Sequence, residues 1–121
     1  MDIATAEKTL TLLVAQLSGL EPDRTVLCGG GDLTGAAPLV YVRSVSGKLA
    51  DSALAELVAE VRGAFAEPEE ARAFAAAVWG ALPRYGVSGF TELAADDERG
   101  IEFAEQDGFF TATGRVKAYF A

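Results

Sequence analysis

The stretch "FFTATGRVKAYF", residues 109 to 120, alternates with a period of two. Phe110, Ala112, Gly114, Val116, Ala118 and Phe120 fall on one face, and Thr111, Thr113, Arg115, Lys117 and Tyr119 on the other. Successive side chains of an extended chain point to opposite sides, so this run reads as a long strand with one apolar and one polar face. Asp107-Gly108 separates it from a second alternating run, "IEFAE" at 101 to 105. Asp-Gly between two such runs is the strongest short-range sign of a β-hairpin. "FTELA" at 90 to 94 predicts a further strand, and "DDERG" at 96 to 100 a turn before it pairs. Gly114 either bulges or bends the last strand, or with Thr113 divides it in two.

Ahead of this β-region the period changes. Ile3, Ala6, Leu10, Leu13, Leu17 and Leu20 recur at three- and four-residue steps, the stripe of an amphipathic helix. Asp2 is placed to cap it, Glu7 lies toward the positive end of its dipole, and Gly19 sits where a left-handed residue would end it. "PLVYVRSV" at 38 to 45 predicts a strand. Asp51 or Ser52 would cap a second helix whose stripe is Leu54, Leu57, Val58, Val61 and Phe65. Pro68 opens a third helix with Ala71, Phe74, Ala75, Val78 and Leu82 on one face, ended by Pro83 and Gly86. The expected fold class is therefore α+β, with three helices packed on a C-terminal antiparallel β-meander and an additional short strand or hairpin near 25–45. At 121 residues, with no linker composition or repeat, residues 1–121 are expected to form one domain.

"VLCGGGDLTGAAPLVYV", residues 26 to 42, invites a phosphate-loop reading, but the residues do not support one. Gly29 and Gly31 fit two places of a dinucleotide fingerprint and Thr34 occupies the third. Gly30 and Gly35 have the nucleotide-hydrolase gap, with Ala36 and Ala37 where lysine and a hydroxyl are needed. The loop also runs into Pro38 and a strand instead of a helix N-terminus, and it carries Asp32. It reads as a connection between two short strands.

The chain has no histidine and one cysteine, Cys28. Histidine-based acid–base catalysis, Ser-His or Cys-His nucleophiles and imidazole or thiolate zinc sites are therefore ruled out by residue type. Cys28 reads as a small, half-buried residue at a strand end, with a lone reactive thiol as the other reading. "DDERG" and "EQDG" read as solvated hairpin turns, with an Asp/Glu acid–base pair as the other reading; neither matches a calcium loop, and Arg84 and Tyr85 read as helix-end packing or as pocket lining. No catalytic residue, metal or cofactor is assigned. Trp79 either widens the core face of the third helix or serves as a partly exposed interface anchor.

The net charge of −8 gives nucleic acid or an anionic leaflet no electrostatic foothold. No apolar run reaches membrane-spanning length, and the acidic N-terminus lacks the order of a signal peptide, so the expected setting is cytoplasmic. The charge is concentrated. Between Phe90 and Gly108 stand Glu92, Asp96, Asp97, Glu98, Glu102, Glu105 and Asp107 against Arg99 alone. Paired strands would gather several of them on the outer face and hairpin tips of one sheet, with Arg115 and Lys117 placed to neutralise part of it. Two expectations follow. One is a non-catalytic protein-binding module of inhibitor, adaptor or immunity type, meeting a basic protein through those seven carboxylates and Trp79. The alternative is a small-ligand domain or enzyme with an apolar pocket between helices and sheet, lined by Phe74, Phe90, Phe103, Phe110 and Phe120. A homodimer would suit either, if the last strand lies on an exposed edge.

Overall fold

The structure, a computed structural model, describes residues 1–29, 37–48, 54–83, 85–96 and 100–121. The elements in chain order are α1 (Ile3–Ser18), β1 (Val26–Cys28), β2 (Leu39–Lys48), β3 (Ala55–Phe65), α2 (Pro68–Val78), β4 (Tyr85–Val87), β5 (Phe90–Ala95), β6 (Glu102–Gln106) and β7 (Phe109–Phe120). The first helix forms where its end signals stand. The Asp2 carboxylate accepts a 2.7 Å hydrogen bond from the Thr5 amide, and Gly19 leaves the helix at φ 72°. Each satisfies or releases backbone groups that a helix end would otherwise strand. α2 opens on Pro68, with Glu69 and Glu70 in its first turn. It ends earlier than the spacing predicts: Val78 is its last residue, and Leu82 lies beyond it, half-buried against the core.

The strands make one seven-stranded sheet in the order β1-β2-β3-β7-β5-β4, with β6 also paired to β7. Among the described strands β1 and β2 pair parallel and the other strand pairs are antiparallel. Both helices cover one face, where Val40, Val42, Leu57, Ala59, Val61, Ala112, Val116, Ala118 and Phe120 are almost fully buried. α1 lies over β1 to β3, and α2 over β3 and β7. Gly63, Ala112 and Gly114 make a shallow trough in this face, because Gly63 pairs with Ala112 and Gly114 with Val61. A Cβ on Gly63 would come within 2.7 Å of the Phe65 ring, and one on Gly114 within 2.6 Å of the Trp79 ring. Phe74 and Trp79 of the α2 end meet there edge to face, with centroids 6.0 Å apart. The backbone is bare because aromatic rings need its space. Gly114 accordingly neither bulges nor divides the strand, and its register with β3 is unbroken.

Several expectations are corrected. The second predicted helix, over 51–65, is strand β3 in its described part, which leaves two helices among the described residues. Leu57, Ala59, Val61, Gly63 and Phe65 alternate into the core, and pairing with β2 on one side and β7 on the other fixes them extended. The C-terminal strands are not a sequential meander either. β7 is interior, with β3 along one edge and both β5 and β6 along the other. The last strand therefore offers no free edge to a second copy. β5 and β6 run in the same direction along β7, and residues 97–99 of "DDERG", where a turn is expected, lie outside the described residues. The described reversals among these strands are at Ser88-Gly89 and Asp107-Gly108, all four residues at positive φ, as a two-residue hairpin turn of the strand-matched hand requires. The 30–36 glycine stretch lies outside the described residues, but the elements it joins are the parallel strands β1 and β2. No helix among the described residues is long and apolar enough to cross a membrane.

Candidate functional site

The register distributes the predicted acidic residues over different surfaces. Glu92, which pairs with Tyr119, and Glu102, which pairs with Thr113, point away from the helices. Asp96, whose amide donates to the Arg115 carbonyl at 3.0 Å, continues β5 on that side. Asp96 lines a small cavity of about 60 Å³ with Glu60, Glu102, Thr113 and Arg115. Glu105 is on the opposite, helix-bearing side of β6 with Phe103, and Asp107 is in the hairpin turn. Asp97 and Glu98 lie outside the described residues. Trp79 is half-buried, packed on the core over Gly114, with its indole nitrogen buried and unpartnered among the described residues.

The face turned from the helices is not uniformly acidic. Arg43, Lys48, Arg62, Arg115 and Lys117 share it with Glu56, Glu60, Glu92, Asp96 and Glu102, because strands β2 and β3 bring their own cations into register. Glu60 is the hub. It stands beside Arg115, pairs with Arg43 at 3.3 Å and accepts from the Tyr41 hydroxyl at 3.2 Å, while the Arg43 guanidinium lies 6.0 Å over the Tyr41 ring. Tyr41 and Val58 on this face are only 7 % exposed, so its middle is closely covered by its own side chains. Tyr119 lies between Glu56 and Glu92; burial raises its phenol above the ordinary value, and the Glu56 charge adds to the rise. Over β2, β3 and β7 this surface is self-compensated, which weakens the field that part can project toward a partner.

β6 is different. All five of its residues are exposed, and Phe103, at 54 %, is the most exposed large apolar side chain described. From Gly100 to Gly108 there are three carboxylates, Glu102, Glu105 and Asp107, and no cation. None of the three forms an ion pair with a described cation. Positive charge borders the strand without pairing to it: the Arg62 guanidinium donates to the Gln106 side chain at 2.6 Å, Arg115 lines a small cavity with Glu102, and Arg72 lines a groove with Glu105. Between β6 and the start of α2 lies an open groove of about 270 Å³, lined by Pro68, Ala71, Arg72, Phe103, Glu105 and Phe110 among others. The five phenylalanines of the apolar-pocket expectation do not share one site. Phe74, Phe90 and Phe120 are buried core, the last two packed edge to face at 6.3 Å, whereas Phe110 and Phe103 meet only at this groove.

A polar constellation that the sequence does not announce ties α1 to the sheet. The Glu7 carboxylate accepts from the Ser44 amide at 2.7 Å, from the Ser44 hydroxyl, and from the Cys28 thiol at 3.2 Å. Burial opposes ionisation of Glu7, but the bonds from Ser44 and Cys28 outweigh it and hold the carboxyl below its ordinary value. Cys28 is exposed at the end of β1, more open than expected, yet partial burial of its sulfur and the Glu7 charge push the thiol up. A thiol kept protonated beside a carboxylate is a structural donor and a poor nucleophile. Among the described residues no cluster of His, Cys, Asp or Glu could hold a metal ion. Neither a protein-family model nor a curated protein sequence matches the chain.

Proposed function

We propose that the protein is a non-catalytic binding module of inhibitor or adaptor type that engages a basic protein in the cytoplasm through the acidic part of its C-terminal sheet. The observation that carries this reading is the state of β6: fully exposed, bearing Glu102 and Glu105 with Asp107 in its turn, and without a described cation paired to any of them. Uncompensated charge at an exposed strand speeds encounter with an oppositely charged surface and penalises like-charged competitors. The remaining acidic residues of the sheet serve the field more weakly, because Arg43, Arg62, Arg115 and Lys117 stand among them. The residue types narrow the alternative, since a chain with no histidine and a single cysteine has no Ser-His or Cys-His nucleophile and is left with carboxylates for acid–base chemistry.

Capture from lysate on the immobilised protein, at low and high salt, tests the reading. Wild type should retain a basic protein at low salt and release it at high salt. The triple variant Glu102→Gln, Glu105→Gln, Asp107→Asn should retain much less at low salt and show little further loss at high salt. Retention that ignores both salt and the triple substitution would overturn the proposal.

A further inference from the structure

Among the described residues the outer edges of β1, β4 and β6, and that of β2 from Arg43 onward, carry no partner strand; of these, β6 is the one that bears Glu102 and Glu105 and borders the groove against α2. β4 covers the outer edge of β5, but no described strand covers the outer edge of β6, although β5 and β6 lie in line along the same edge of β7. The open position beside β6 is thus the continuation of β4. Its backbone chemistry follows from the turn. A two-residue hairpin loop makes the closing pair, Gln106 and Phe109, exchange both backbone bonds, and the pairs then alternate. Ala104 and Glu102 bond to β7, so the N–H and C=O groups of Phe103 and Glu105 face outward. Five residues of edge span about 17 Å at the rise of an antiparallel strand.

The geometry points to β6 as a strand-addition site for an extended, basic segment of the partner, a mode of contact that rests on the function proposed above. Main-chain pairing to Phe103 and Glu105 would supply register, and the groove between β6 and α2 would take an apolar side chain against Phe103, Phe110 and Pro68. Charge decides the occupant. A second copy of β6 would bring three carboxylates, Glu102, Glu105 and Asp107, within a strand spacing or two of the same three on its neighbour, and that concentration of like charge opposes self-pairing. An incoming strand with lysine or arginine opposite Glu102 and Glu105 gains what a second copy loses. The same carboxylates therefore guard the edge against self-pairing and select the partner.

The experiment uses the full chain, isotope-labelled, with the amidated peptide KTVRTVKT and its acidic counterpart ETVETVET as probes. The basic peptide should give saturable shifts along residues 101–107 and at the first turn of α2. The Phe103 and Glu105 amides should become protected from exchange, and the acidic peptide should do nothing. Phe103→Ala tests the groove. Phe103→Pro removes in addition an outward amide while sparing the bonds to β7, as proline is tolerated on an edge strand. It should bind about fivefold more weakly than Phe103→Ala, the worth of one hydrogen bond. Shifts that depend on the three carboxylates but bring no amide protection, with the proline and alanine variants equal, would overturn strand addition and leave the basic-partner reading standing. Absence of any carboxylate-dependent binding would overturn both. Pairing of the free chain with itself through β6, seen as amide protection that grows with concentration, would overturn the choice of occupant.

Discussion

Adding a single methyl group at Gly114 should disrupt the packing of α2 on the sheet. The Cβ of Gly114→Ala would lie 2.6 Å from Cζ2 and 2.8 Å from Cε2 of Trp79. Ordinary contact begins near 3.4 Å, so the indole must retreat by about 0.8 Å. It cannot do so without loosening its edge-to-face contact with Phe74, which is itself wedged over Gly63. Overpacking of this kind costs about 1–3 kcal/mol. Replacing a strand glycine by alanine returns about 0.5–1 kcal/mol of backbone entropy. The net expectation is a loss of up to about 2.5 kcal/mol, read from urea unfolding followed by far-ultraviolet circular dichroism. Trp79 is the sole tryptophan, so its fluorescence reports the displacement directly as a red shift. The mechanism predicts non-additivity: in a Trp79→Leu background the clash is gone, and Gly114→Ala should become neutral or stabilising by about 0.5–1 kcal/mol. Equal costs of Gly114→Ala in the two backgrounds would refute the steric argument.

Glu7→Gln should lose about 1 kcal/mol at neutral pH, discounted for solvent exposure. The folded-state pKa of Glu7 is depressed, so its contribution is present above the ordinary value of 4.5 and disappears as pH falls through the lower folded value. The gap between wild type and variant, measured by unfolding at several pH values, should therefore close below pH 4.5 and stay constant above about pH 6. Cys28 should react with iodoacetamide more slowly than a free thiol at pH 8, and Glu7→Ala should speed it, because Glu7 accepts from that thiol. Gly108→Ala should destabilise the β6–β7 hairpin by about 1–2 kcal/mol, since φ 82° suits only glycine well. Asp107→Asn at φ 51° should cost much less, a contrast readable in their melting temperatures.

Those elements whose ends carry their own chemistry were legible in the sequence. Asp2 and Gly19 bound α1, Pro68 opens α2, and Asp107-Gly108 turns β6 into β7, each through local backbone preference. β3 was not legible, because its residues satisfy two periods at once. Leu54, Leu57, Val58, Val61 and Phe65 fit a helical stripe. The true inward set includes Ala59 and Gly63, whose small side chains leave little trace in an apolar pattern. Pairing with β2 and β7 decides the matter, and that pairing is non-local. The acidic region shows the same division. Seven carboxylates between Phe90 and Gly108 are plain in the sequence. That β2 and β3 set Arg43 and Arg62 on the same face, and that β6 has an open edge, follow only from strand order. The one hint of the edge was Phe103, apolar within an otherwise acidic alternating run.

Hydrogen–deuterium exchange of the whole chain, with and without the basic protein it captures, addresses the role of β6 most directly. Slowed exchange confined to residues 101–107 and the start of α2 is the expected result. Slowed exchange centred instead on Tyr41, Glu60 and Arg115, with β6 exchanging as freely as before, would contradict it.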